Sequence, residues 1–479
     1  METRGIFANL SPLDHRYSIS DRRLFEKLSS CLSEDASIRS CVRVEIALLK
    51  TLLRRLAPEL AAGGAEAMLD EAADGIAPSD VYEEEEKTHH NIRALVNVLK
   101  RRLPPEVRPF VHLGATSADI LDTASALRCR DAVQGVILPL LLDLEDELIR
   151  RAREEAETPQ VGRTHGQHAV PVTFGFAVAA YASRLGKSIQ RIVERANNLR
   201  GKLAGAVGAY NATSLLVADP VGLEKEFLQS LGLQASEQST QLVEPEYVLE
   251  LLLELNTAFG IIANLADDLR NLQRSEIGEV REEFTSSQVG SSTMPQKRNP
   301  WNSEHVKSLW KAFCPRVMTF FMDQISEHQR DLTNSASSRF VADYLAGFAA
   351  AAARMGAVLR SLSIDRQRMR ENMARTGDLV FSEPVYVLMA LSGDPDAHER
   401  VRKATLAVEK TGGKLADALR GEATVWDRLE AQLMSARGIG AEQFFSDPAN
   451  YCGRAAEQAR EVAARYEAVT AQIRRELSD

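Results

Sequence analysis

Between Thr285 and Asn302 the chain reads TSSQVGSSTMPQKRNPWN, a dense cluster of groups able to act on a substrate. Gly290, Pro295 and Pro300 break any regular element, while Ser291, Ser292, Lys297 and Asn299 bring hydroxyls, an ammonium and an amide together. Glycine and proline alone would also explain a plain surface connection, but they do not explain that crowding. A loop between two rigid helices is where mobile catalytic groups sit. A second cluster, Gly162–His168 (GRTHGQH), holds His165 and His168, whose imidazoles can exchange a proton near neutrality. The same two histidines could be metal ligands or satisfied core residues. No carboxylate or thiolate stands near them at ligand spacing. A third set is Arg330, Ser335 and Arg339. Two guanidiniums and a hydroxyl reach one anion if the chain turns between them, and guanidinium forks match phosphate oxygens. They could also be surface arginines with Asp331 as a partner.

Four stretches repeat apolar residues in mixed steps of three and four, and these must carry the clusters. One face runs through Val133, Ile137, Leu140, Leu144 and Leu148. A second runs through Leu185, Ile189, Ile192, Ala196, Leu199 and Leu203. A third runs through Val248, Leu252, Leu255, Phe259, Ile262, Ala266 and Leu269. The fourth, Val306, Trp310, Phe313, Val317 and Phe320, contains Pro315 as a kink. Long helices with such seams pack along one another, so an all-α fold with a helical bundle over 112–364 is expected. The third helix is apolar on a second face as well (Leu249, Leu251, Leu253), which points to subunits packing together. Residues 1–111 and 365–479 have shorter helical patterns broken by Gly and Pro, giving three helical domains in series: 1–111, 112–364 and 365–479. Strand signals are scarce. The acidic run Glu83–Glu86 reads as a solvated face.

Composition agrees. Apolar residues are 44% and charged residues 26%, with Gly at 28 and Pro at 17 residues, which excludes disorder and a disulfide scaffold. Five scattered cysteines without a C-x-x-C fit a reducing, cytoplasmic setting. Met1–Leu10 lacks the features of a secretory leader, and runs such as Val136–Leu142 fall short of the ~20 residues that span a bilayer, so a soluble protein is expected. The net charge of −9 argues against nucleic acid or an anionic membrane as partner, so an anionic ligand must be met by a local cluster of donors.

The run Gly290–Pro300 (GSSTMPQKRNP) resembles the signature loop G-S-S-x-M-P-x-K-x-N-P of the fumarase/aspartase superfamily. His112–Asp119 (HLGATSAD) is similar to that superfamily's first signature region, and Gly162–His168 to its second in the adenylosuccinate lyase branch. Three more segments resemble that branch: Ser11–Tyr17 with His15 in place of Gly, Thr88–Asn91 with Asn91 in place of Asp, and Gln329–Arg339 with Asn334 in place of Asp. The pair Thr240–Gln241 matches more weakly.

The resemblance implies three helical domains whose central helices, from four subunits, form a twenty-helix core with active sites shared between subunits. It implies elimination of fumarate from a succinyl group on a purine or imidazole ribonucleotide, without metal or organic cofactor. Ser291 would be the base, workable only if backbone N–H groups and a cation stabilise its alkoxide. Ser292 and Met294 would be its neighbours against the substrate. Lys297 and Asn299 would neutralise the carboxylate as negative charge develops. His165 would be the acid and His90 its assistant or a substrate contact, with the role of Asn91 altered by the departure from Asp. Thr116, Ser117, Thr164 and Gln241 would hold the succinyl carboxylates and the base. Arg16 and Tyr17 would close over the nucleotide, and Arg330, Ser335 and Arg339 would hold its phosphate. Another member of the same superfamily, such as a carboxymuconate cycloisomerase or a specialised succinyl lyase, is the competing expectation.

Overall fold

The computed structural model describes residues 5–62, 65–283, 293–294 and 296–478. The fold is mostly helical. The helices that matter here are α1 (Glu34–Leu56), α2 (Pro78–Thr88), α3 (Asn91–Arg102), α4 (Ser117–Ala132) and α5 (Leu138–Glu154). After strands β1 (Pro159–Thr164) and β2 (Gln167–Thr173) come α6 (Phe174–Asn197), α7 (Glu246–Leu272), α8 (Trp301–Phe313), α9 (Val341–Ser361), α10 (Arg366–Ala374) and α11 (Ala455–Ser478). Two compact units divide the chain. The first takes 1–142, 188–260 and 308–353, and the second takes 143–187, 261–307 and 354–479.

In the first unit α1 is delimited by its own chemistry. Ser33 Oγ accepts from the Ala36 N–H at 3.1 Å, acids Glu34 and Asp35 open the helix, and Arg54 and Arg55 close it. Its buried face, including Leu48, Leu49 and Leu52, packs against α4. Phe259 of α7 meets Phe348 of α9 edge-on at 5.3 Å between ring centroids. By length and composition α7 could cross a membrane, but more than half of its most apolar stretch is buried within the chain, as in a core helix.

The apolar seams become helices with two differences. The second seam stops at Asn197, and Leu199 and Leu203 are buried in extended chain instead. There the Lys202 N–H bonds Thr123 Oγ1 at 3.2 Å and the Leu203 N–H bonds Glu224 at 2.7 Å, so side chains replace the helical ladder. The kink at Pro315 is a 3-10 turn, Cys314–Arg316, between α8 and the short helix Val317–Met322. The acidic run is not wholly solvated. Glu84 turns inward, accepting from Asn97 at 2.9 Å and Arg101 at 2.8 Å, and these bonds hold its carboxyl down to about 2.

In the second unit the antiparallel hairpin β1–β2 stands where strand signals were scarce, because its short alternating run is broken by Pro159 and Pro171. A separate core joins Phe381, Val385, Leu415, Leu429 and Phe444. On α5, Glu145 is fully buried, and neither carboxyl oxygen has a hydrogen-bond partner among the described residues. A Cβ on Gly186 of α6 would lie 2.2 Å from the Tyr466 ring of α11 and 3.0 Å from Glu145 Oε1, so only glycine admits this approach.

Burial, and secondarily Asp146, pushes the Glu145 carboxyl well above the usual carboxylate range. A folded value above the unfolded one means that the site favours the protonated form. Its cost therefore grows as pH rises from the unfolded value to the folded one. Glu145→Met should raise Tm, and more at pH 8 than at pH 5. Equal shifts at both pH values in thermal melts would contradict a neutral buried acid.

Candidate active site

Several candidate residues of the first unit stand at helix starts, where free N–H groups favour anions. His89 ends α2 in the left-handed region (φ 51°), and His90 then caps α3. His90 Nδ1 accepts from the Arg93 N–H at 3.2 Å, so the neutral ring carries its hydrogen on Nε2. That Nε2 lies 3.5 Å from Ser117 Oγ, bringing His90 and Ser117 together. Asn91 is exposed and its Oδ1 bonds the adjoining Ile92 N–H at 2.7 Å.

Thr116 and Ser117 open α4 on a buried carboxylate. Asp119 Oδ2 accepts the Thr116 N–H at 2.8 Å. Its Oδ1 accepts the N–H groups of Ala204 at 3.2 Å and Gly205 at 3.3 Å, and also the ammonium of Lys202. Asp119 and Lys202 are both completely buried. One turn on, Asp122 Oδ2 accepts the Val243 N–H at 2.8 Å. Burial pushes the Asp122 carboxyl up to about 6, against the pull of that N–H and of the Lys202 charge. The Gln241 N–H in turn bonds the Gln329 carbonyl at 3.2 Å, joining the turn of Gln241 to that of Arg330.

Sequence reasoning passed over His112 as a site residue. It is left-handed (φ 62°) at the head of the Thr116–Ser117 turn, with Nδ1 2.7 Å from the fully buried Glu45. Its place in the HLGATSAD run was the available signal; its partner, distant in sequence, was not visible.

The trio Arg330, Ser335 and Arg339 is only partly presented. Ser335 and Arg339 are exposed, whereas the Arg330 guanidinium donates to the carbonyls of Gln324 and Asp323, each at 3.1 Å. Arg330 is itself left-handed (φ 83°) and holds its own turn. Asp331 accepts from Thr333 rather than pairing with either arginine in a salt bridge. Arg16 is exposed and Tyr17 half-buried in the turn Leu13–Tyr17.

The second unit holds the remaining candidates. Thr164 and His165 are exposed at the hairpin tip. Thr164 pairs with Gln167 across a two-residue turn in which His165 (φ 55°) and Gly166 (φ 73°) are both left-handed, the geometry that suits the twist of paired strands. The His165 imidazole bonds to no other described residue, so it stands exposed and left-handed at the tip. His168 Nδ1 is 2.7 Å from Thr376 Oγ1. Burial and the Arg163 charge lower the His168 pKa, which favours its neutral ring.

Gly290, Ser291, Ser292 and Pro295 lie outside the described residues. Met294 and Lys297 are exposed and Asn299 is half-buried. The base of this stretch is closed by Glu282, which is buried. Its Oε1 accepts from Ser303 N–H (2.8 Å) and Oγ (2.6 Å), and its Oε2 from Asn302 N–H and Nδ2, both at 3.0 Å. Among the described residues no group of three His, Cys, Asp or Glu side chains is placed to hold a metal ion.

Removing Lys202 leaves Asp119 charged and uncompensated in the interior. Lys202→Met should therefore cost about 3–5 kcal/mol of stability. The neutral double variant Asp119→Asn/Lys202→Met should recover part of that loss in urea unfolding.

Residues 14–318 match the protein family described as Lyase, and residues 326–437 match the one described as Adenylosuccinate lyase C-terminal. The adenylosuccinate lyase of Pyrococcus abyssi is 32% identical over 418 residues, covering 85% of this chain and 89% of its own. That of Archaeoglobus fulgidus is 32% identical over 464 residues, covering 94% and 97%. Among solved structures, the 3-carboxy-cis,cis-muconate lactonizing enzyme from Pseudomonas putida superposes with a TM-score of 0.77 at 26% identity, covering 92% of this chain and 97% of that one. A fumarate lyase from Mesorhizobium sp. BNC1 superposes at 0.78 with 24% identity over 92% and 97%, a likeness of fold alone.

Proposed function

We propose that this chain, which belongs to the adenylosuccinate lyase family within the fumarate-lyase superfamily, eliminates fumarate from adenylosuccinate to leave AMP. The same chemistry would extend to the succinylaminoimidazole carboxamide ribonucleotide of purine biosynthesis. The observation that carries the reading is the match of residues 326–437 to the adenylosuccinate lyase C-terminal family, since that segment holds Arg330, Ser335 and Arg339.

In this reading Ser291 removes the proton from the carbon next to a succinyl carboxylate. Lys297 and Asn299 stabilise the added negative charge, and His165 protonates the departing nitrogen. Thr116, Ser117, Thr164 and Gln241 hold the carboxylates. His90 donates through Nε2 toward the same region, a role supported by its bond to the Arg93 N–H. Met294, Ser292 and Asn91 line the substrate, and Arg16 and Tyr17 cover the nucleotide. The protein works as a homotetramer with three helical domains per subunit (1–111, 112–364 and 365–479) and active sites shared between subunits. The exposed apolar side chains Met318, Phe321, Met322, Ile325 and Leu332 support an interface. The five unpaired cysteines support a cytoplasmic location.

A second reading, cycloisomerisation of a carboxymuconate, is favoured by the occupied guanidinium of Arg330, which is turned to Gln324 and Asp323 rather than left open for a phosphate. The readings separate on substrate. Fumarate release from adenylosuccinate, followed by absorbance, is expected, with no lactone formed from carboxymuconate. Ser291→Ala should abolish turnover while nucleotide binding persists. His165→Ala should cost at least ~10²-fold in kcat. Arg339→Lys keeps the charge but loses the fork, so KM for adenylosuccinate should rise; an unchanged KM would remove phosphate from that cluster.

A further inference from the structure

Glu279 is completely buried in the second unit, yet its carboxylate collects donors from three directions. Gln160 Nε2 donates to Oε2 at 2.7 Å and Asn372 Nδ2 of α10 donates to Oε1 at 2.9 Å. Arg163 spans both oxygens, with contacts of 3.0 Å and 2.5 Å. Arg163 reaches inward because β1 is bulged: its register against β2 shifts between Val161 and Arg163. Gly162 makes the bulge possible, since a Cβ there would lie 2.6 Å from the Val170 carbonyl oxygen. Directly across the hairpin, His168, the strand partner of Arg163, is tied to Thr376. Each strand is thus anchored once near the tip, and His165 projects beyond both anchors.

We infer that Arg163, clamped by Glu279, is a positioning residue for His165, setting where the imidazole stands when it delivers its proton. The inference rests on the reading of His165 as the acid. A bidentate guanidinium–carboxylate pair shielded from water is strong and directional, so it can fix the strand two residues before the tip. No regular ladder can do this at a bulge, where an extra residue leaves the pairing interrupted. A proton donor must come within hydrogen-bond reach of its target, and a displacement of ~1 Å can cost on the order of 10²-fold in rate.

The test is a double-mutant cycle on the full-length, assembled enzyme, with kcat and KM read from fumarate release. Arg163→Met should lower kcat by about 10²-fold and leave KM within about twofold. In the His165→Ala background the same substitution should change kcat by less than about threefold, because there is no acid left to misplace. Equal losses in both backgrounds would assign Arg163 a general structural role and overturn the inference, as would an Arg163→Met enzyme with undiminished kcat. If Arg163→Met does not fold, Arg163→Lys runs through the same cycle, keeping the charge and losing the fork, with a smaller loss expected only when His165 is present. A His165→Ala enzyme with undiminished turnover would overturn the reading of His165 itself, an outcome visible in the single variant before Arg163 is changed.

Discussion

The irregular segments of this protein depend on buried carboxylates. A helix or sheet satisfies its own N–H groups, but a turn shaped to meet a substrate cannot, and every buried donor must still find an acceptor. Asp119 supplies that acceptor to the Thr116 and Ala204–Gly205 turns, and Glu282 supplies it at the start of α8. Glu279 does so beneath the hairpin. Each of these acids gathers several donors onto its two oxygens, which offsets the cost of removing it from water. Glu145 and Glu45 mark the contrast, since each keeps at least one oxygen with no partner among the described residues.

Backbone strain follows the same map. Among the described residues, the left-handed ones other than glycine are His89, His112, His165, Tyr210, His328 and Arg330. Most stand in or beside the segments assigned to substrate. For such side chains this conformation costs free energy, and it persists only where the surroundings enforce it. For His89 the enforcement is a helix end meeting a helix start. For His165 it is a two-residue turn between paired strands. For Arg330 it is a guanidinium folded back on the carbonyls of Asp323 and Gln324.

Exposure divides the candidates from their supports. His90, His165, Lys297 and Arg339 are exposed, whereas Asp119, Lys202, Glu279 and Glu282 are buried. The exposed groups are the ones proposed to meet a ligand, whereas the buried charges lie where they are least screened. On a chain with a net charge of −9, exposed cations such as Arg339 and Lys297 make local exceptions to the overall field.

Apolar periodicity in the sequence was enough to find the helices that cross the centre of the chain, because burial of one face leaves a spacing of three and four wherever a helix is long. The signature run Gly290–Pro300 and the histidine and arginine clusters were legible for a related reason: their chemistry needs particular residue types in short, local order. What the sequence could not reveal depends on residues far apart. Short alternation broken by proline hid the hairpin beneath His165. Nothing near Glu84 announced that Arg101 would draw it inward, and nothing near Arg330 announced that its own turn would claim its guanidinium. The partnerships of Asp119 with Lys202, His112 with Glu45 and Arg163 with Glu279 join positions separated by 83, 67 and 116 residues. Only the folded chain decides such pairs, because a buried charge takes as partner whatever packing brings within reach.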